Sequence, residues 1–174
     1  IAALAFGAEG IAMGTRFLMT SDSPVPQVTK DRYIACRNPA DIVVSTAMDG
    51  LPQRMIMNEV LVELERAGPL KRLLIAIRNG LAFRQHTGAS LSQLLKAAIA
   101  MQRDDGITPA QAIMSANAPM IIQRAMVEGR PAEGVLPSGQ VAGVIDDLPS
   151  CADLIARIVR EAEECLASLA KRAT

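Results

Sequence analysis

Aromatic side chains are nearly missing from this chain. Its 174 residues include no Trp, one Tyr (Tyr33) and three Phe (Phe6, Phe17, Phe83). Any core must therefore be aliphatic and Met-rich, and no platform exists for stacking single-stranded bases. Excess charge is missing too. Lys plus Arg count 18 and Asp plus Glu count 18, with no basic block of the kind nucleic acids attract. No nucleic-acid partner is expected. Imidazole and thiol are scarce: His86 stands alone, and Cys36, Cys151 and Cys165 form no CxxC pair. A zinc site takes about four N or S ligands, so no metal site is expected. Sparse, odd cysteines suit a reducing, cytoplasmic compartment. Long apolar runs are absent as well. Glu9 and Arg16 break the N-terminal apolar stretch, so neither a membrane span nor a signal peptide with a basic start is expected in it.

What is present is an ample apolar half and clear punctuation. Residues 1–6 read as a helix end stopped by Gly7. Residues 9–13 read as a short buried strand, ended by a turn at Gly14 and Thr15. A Ser/Asp/Pro loop over 20–26 leads to a short helix over 27–37. The β-branched run 41–46 reads as a strand, with 54–57 as its partner across Asp49-Gly50. After Asn58 the period is helical: Val60, Leu61 and Leu64 share one face, and Leu70, Leu73, Leu74 and Ile77 another. Ser90 with Gln93, and Thr108-Pro109-Ala110-Gln111, are capping boxes. Pro119 should kink or split its helix. Residues 129–140 form a Gly/Pro-rich loop. Ser150 caps a last helix with Leu154, Ile155, Ile158, Ala162, Leu166 and Leu169 on its face. A lone buried strand cannot satisfy its backbone, so its partners are expected upstream of Ile1 or in another molecule.

The stretch "GAEGIAMGTRFLMT" (7–20) raises a chemical question. Glycine lets a phosphate approach backbone N–H groups, and threonine adds a hydroxyl. Turns at the C-terminal ends of parallel barrel strands are where phosphate sites sit. By itself Gly14-Thr15 is also what an ordinary turn looks like.

Three stretches together resemble the nitronate monooxygenase family, formerly the 2-nitropropane dioxygenases. The first is matched by Gly7, Ala8, Gly10, Ile11, Met13, Gly14, Thr15 and Phe17. The second is "DIVVSTAMDGLPQRMIMN", matched by Val43, Val44, Gly50, Pro52, Arg54 and Asn58. The third is the "GQ-x-x-G" segment, matched by Gly139, Gln140 and Gly143. The resemblance implies an α/β fold, the C-terminal part of an FMN-type (β/α)8 barrel with a mostly helical second domain. Residues 1–20 would be the last barrel strand and phosphate loop. Residues 21–136 would be the smaller domain with a short strand pair, and 137–174 the return to the barrel and its closing helix. It further implies FMN as cofactor, with Ala12, Met13, Gly14 and Thr15 around its phosphate and Gln140 near the flavin.

The activity it implies is flavin-dependent oxidation of alkyl nitronates or related carbanion-forming substrates. Reduction of enoyl thioesters, or acyl-CoA-type oxidoreduction, is the alternative. A small-molecule substrate is the expected partner, with an upstream barrel half required and a homo-oligomer possible. The alternative of another class is a non-catalytic helical interaction module. The chain also departs from the family. Many relatives carry a His four residues before a Lys; here Pro26 precedes Lys30. The family's catalytic base belongs to its upstream half, so no residue of this chain is assigned that role.

Other constellations read more plainly. His86 has no Ser, Cys or acid arranged around it and reads as an exposed helix-end residue. Arg54 and Asn58 could bind a substrate carboxylate or phosphate, but structural pinning is the better reading. Asp146 and Asp147 are adjacent and point apart, which suits a solvated helix start rather than a catalytic dyad. Gln140 could donate to a flavin oxygen or a substrate, or serve its loop alone.

Overall fold

The structure, a computed structural model, describes residues 1–68, 70–71, 74–75, 77–78 and 117–173. His86, Phe83 and the two capping boxes at Ser90 and Thr108 lie outside the described residues. The chain is α/β, with a small antiparallel sheet among helices. It divides into two compact units, residues 1–24 with 145–174, and residues 25–144.

In the larger unit, α3 (Gln27–Ala35) starts behind Pro26, whose carbonyl accepts from the Thr29 and Lys30 N–H groups. The strands β1 (Ile42–Ser45) and β2 (Gln53–Ile56) pair antiparallel, Ile42 opposite Ile56 and Ser45 opposite Gln53. Gly50 takes φ +85° in the connection, a backbone region that glycine enters without penalty. A third strand, β3 (Leu136–Pro137), pairs with Met55 and Ile56 of β2. It lies inside the segment expected to be only a loop. Two residues, one of them Pro137, carry too little alternation to announce a strand.

The helix α4 (Glu59–Arg66) begins where the Asn58 side chain accepts the Leu61 N–H at 3.0 Å. The helix α5 (Asn117–Met126) runs on past Pro119 without a break among the described residues. The core joins Ala47, Met48, Met55, Leu61, Leu64, Ile121 and Val135, an aliphatic and Met-rich set. Of the stripe expected beyond α4, Leu70, Leu74 and Ile77 are exposed, while Ile75 packs against this core. Tyr33 is fully buried, and its hydroxyl donates to the Pro137 carbonyl at 2.6 Å. Burial raises its phenol pKa far above the ordinary value.

In the smaller unit, α1 (Ala2–Ala5) stops at Gly7, which has φ +92°. Residues 9–13 do not form the buried strand expected of them. They join no ladder among the described residues, and Ile11 is 60 % exposed. A strand is held by neighbouring strands, and the described residues offer this segment none. Next comes α2 (Thr15–Leu18), a single turn. The long helix α6 (Cys151–Ala173) follows Ser150, whose Oγ accepts the Asp153 N–H at 3.0 Å. No described helix is long and apolar enough to cross a membrane.

Candidate functional site: the Gly14 loop

Gly14 is the residue just before α2 and has φ −90°, so its conformation does not demand glycine. What distinguishes it is open space. A Cβ at Gly14 or at Gly10 would meet no atom within 4 Å. Beyond Gly14, the first amides of a helical turn have no acceptor within the turn. No carbonyl among the described residues accepts the Arg16 or Phe17 N–H. An uncovered glycine followed by amides without a carbonyl acceptor fits an anionic oxygen. Ala12 and Gly14 are exposed, and Met13 and Thr15 half-buried, so the run from 12 to 15 is reachable from solvent. This chemistry is holding, not proton transfer. The chain's one imidazole is outside the described residues. Among the described residues no cluster of three His, Cys, Asp or Glu side chains could take a metal.

The loop is tied behind by a network the sequence does not announce. Arg16 donates to Asp147 Oδ1 at 2.8 Å, to the Asp147 carbonyl at 3.0 Å and to the Met19 carbonyl at 2.7 Å. Arg157 of α6 donates to Asp147 Oδ2 at 2.7 Å. The Arg157 and Arg16 guanidiniums hold the Asp147 carboxyl below the usual carboxylate range. Asp147 is therefore an ion-paired hub rather than a solvated helix start, while Asp146 is exposed. Two further ties close the seam. Ser21 N–H donates to the Pro149 carbonyl, and Cys151 N–H to Asp22 Oδ2 at 2.7 Å.

Gln140 lies in the other unit and is exposed. Its Nε2 donates to the Pro39 carbonyl at 2.9 Å. A Cβ at Gly143 would sit 2.9 Å from Pro39 N and 3.0 Å from its Cα. The Gly-Gln-x-x-Gly segment thus grips the 3-10 turn Pro39–Asp41, with one residue bonding and the other allowing close approach.

Asn58 pins segments within the larger unit, whereas the sequence reading has it fastening this region to the barrel. Besides capping α4, its Nδ2 donates to the Pro131 and Gly134 carbonyls at 3.1 and 2.7 Å. Arg54 contributes through its backbone, its carbonyl accepting the Ser138 N–H. Lys30 is buried in α3 at 4 % exposure. A cleft of about 260 Å³ lies nearby, lined by Arg32, Cys36, Asp41 and Asn58 among others. Burial and the Asp41 carboxylate push the Cys36 thiol up, away from thiolate reactivity.

Comparison with known proteins adds to this geometry. A family model described as nitronate monooxygenase matches residues 1–161. One relative, from Rhodococcus jostii (strain RHA1), is 46% identical over 161 residues. That is 92% of this chain and 45% of the relative. It is named (3aS,4S,5R,7aS)-5-hydroxy-7a-methyl-1-oxo-octahydro-1H-indene-4-carboxyl-CoA dehydrogenase. A protein of the same name from Mycobacterium tuberculosis (strain ATCC 25618 / H37Rv) is 42% identical over the same shares. The chain thus spans about half the length of the curated relatives it matches. FabK from Thermotoga maritima is similar in structure, with TM-score 0.58 and 26% identity, over 97% of this chain and 41% of that one. A point mutant of the same protein gives TM-score 0.60 at 23% identity, over 97% of this chain and 39% of that one.

Proposed function

Because the chain belongs to the nitronate monooxygenase family, we propose that it is the C-terminal portion of an FMN-dependent oxidoreductase on a (β/α)8 barrel. Residues 1–20 supply the last barrel strand and the phosphate loop. Residues 21–136 form the smaller domain, and 137–174 return to the barrel with its closing helix. An upstream half completes the sheet beside residues 9–13 and carries the catalytic base.

The carrying observation is the open approach to Gly14 ahead of the first amides of α2. Ala12, Met13, Gly14 and Thr15 hold the phosphate there. Gln140, which gives one Nε2 hydrogen to Pro39, donates its other to a flavin oxygen or the substrate. A bound FMN would supply two-electron redox chemistry between a substrate and an acceptor. This chain's own task is to hold and orient that group, not to move a proton.

For substrate we propose an acyl-CoA thioester, oxidised by the flavin. The support is the two relatives that share 46% and 42% of their aligned residues with it and are named for carboxyl-CoA substrates. Alkyl nitronates are the second reading, favoured by the family's description. A small molecule is the partner in either case, in the cytoplasm, with subunits able to pair as a homo-oligomer.

The test is the intact mass and visible spectrum of the protein at its full natural length. A mass well above that of these 174 residues, with a flavin spectrum released by heat, supports the reading. A colourless protein of this chain's own mass would favour a non-catalytic helical module. Anaerobic addition of an acyl-CoA or of an alkyl nitronate then separates the substrates. The true one bleaches the bound flavin.

A further inference from the structure

Arg16 follows the Gly14-Thr15 turn directly, yet it does not face an incoming ligand. Its side chain is only 14 % exposed, and its Nη atoms serve Asp147 and the Met19 carbonyl. Met19 closes α2, so Arg16 ties the end of that turn from within it. Asp147 spends both carboxylate oxygens on arginines, Oδ1 on Arg16 and Oδ2 on Arg157. Arg157 stands on α6, a helix of 23 residues. The arrangement is a relay of three side chains from the loop to a long helix.

Stability alone explains it poorly. The Arg16 Nε is buried with no hydrogen-bond partner among the described residues. Burying part of a guanidinium unsatisfied costs free energy. Apolar packing at this seam would do better if holding two segments together were the only task. What the relay adds is direction: it fixes the turn that directly follows Gly14.

We propose that Asp147 is a positioning residue for the phosphate loop, acting through Arg16 and itself held by Arg157. The inference rests on the reading of that loop as a flavin-phosphate site. It predicts selectivity as well as affinity, because only a ligand bearing a phosphate feels the orientation of the loop.

The experiment compares FMN with riboflavin, which lacks the phosphate, on the deflavinated protein at full natural length. Binding is followed by quenching of flavin fluorescence. Asp147→Asn keeps the size of the side chain and removes its charge. FMN affinity should fall about tenfold, as for removal of one strongly coupled partner, with riboflavin affinity unchanged. Asp147→Glu should recover most of the loss. Arg157→Gln alters a side chain that is 37 % exposed, so it should fold even if Asp147→Asn does not. It should shift the FMN-to-riboflavin ratio the same way by a smaller factor. Equal loss of both ligands, or no loss of either, overturns the proposal and leaves Asp147 a purely structural tie. A wild-type protein that binds FMN no better than riboflavin overturns the phosphate-loop reading itself, and the relay with it.

Discussion

Asp is a good residue at the start of a helix, because its carboxylate accepts the leading amides. At position 14 it would have room, since a Cβ there meets nothing within 4 Å and φ is −90°. The helical φ −90° and ψ −72° of Gly14 differ from the extended backbone of a capping residue, so Gly14→Asp should leave the melting temperature unchanged. The same carboxylate would occupy and repel the phosphate position, so FMN affinity should fall at least about tenfold, ~1.4 kcal/mol. A variant that keeps full FMN affinity would remove Gly14 from the site. Gly143 is a glycine for the opposite reason. Its missing side chain is filled by the backbone of Pro39, 2.9 Å from a would-be Cβ. Gly143→Ala should cost about 1–3 kcal/mol of stability, as overpacking does, and a urea titration reads this directly. Asp147 makes stability depend on pH. Its folded pKa is lowered by Arg157 and Arg16, so its contribution is present above the ordinary carboxylate range. That contribution is lost as pH falls through the lower folded value. The gap in stability between wild type and Asp147→Asn should narrow on acidification, and a gap that widens would contradict the ion-paired hub.

At the scale of elements, Asn58 holds more than its own helix. It caps α4 and bonds two carbonyls of the segment 131–134 that leads into β3. Asn58→Ala loses a cap worth about 1 kcal/mol. It also leaves buried carbonyls short of a donor, about 1–3 kcal/mol more. Chemical denaturation should show a loss near that sum, and a loss within error of zero would show water replacing the amide. Much at this scale was legible. The strands near 42–45 and 53–56 follow from β-branching around Asp49-Gly50, and α6 from Ser150 and its apolar period. The strand β3 was not, because its evidence is a pairing with β2 rather than a pattern of its own. The Arg16–Asp147 bond joins residues 131 positions apart. No local spacing announces such a contact, so Asp147 read as merely solvated. The grip of Gln140 and Gly143 on Pro39 was hidden likewise, although the short motif carrying both was visible.

At the scale of the whole molecule, the smaller unit leaves apolar surface uncovered. Ile155, Val159, Leu166 and Leu169 of α6 are each about half exposed, and Phe6 is 93 % exposed. These α6 residues fall at helical spacings on one side, an unbroken stripe rather than scattered exceptions. In the same unit, residues 9–13 run without ladder partners among the described residues. An apolar helix stripe and a segment without ladder partners are the two things a barrel's other strands and helices would cover. The proposed upstream half therefore accounts for both with one assumption. It follows that the 174-residue chain expressed by itself should self-associate, bind no flavin and melt without a sharp transition. Size-exclusion chromatography and a circular dichroism melt test this without reference to activity. A monomer with a steep, cooperative melt would mean that the stripe and residues 9–13 are stable in water as they stand. The proposal that an upstream half completes this fold would then fail, whatever the flavin loop binds.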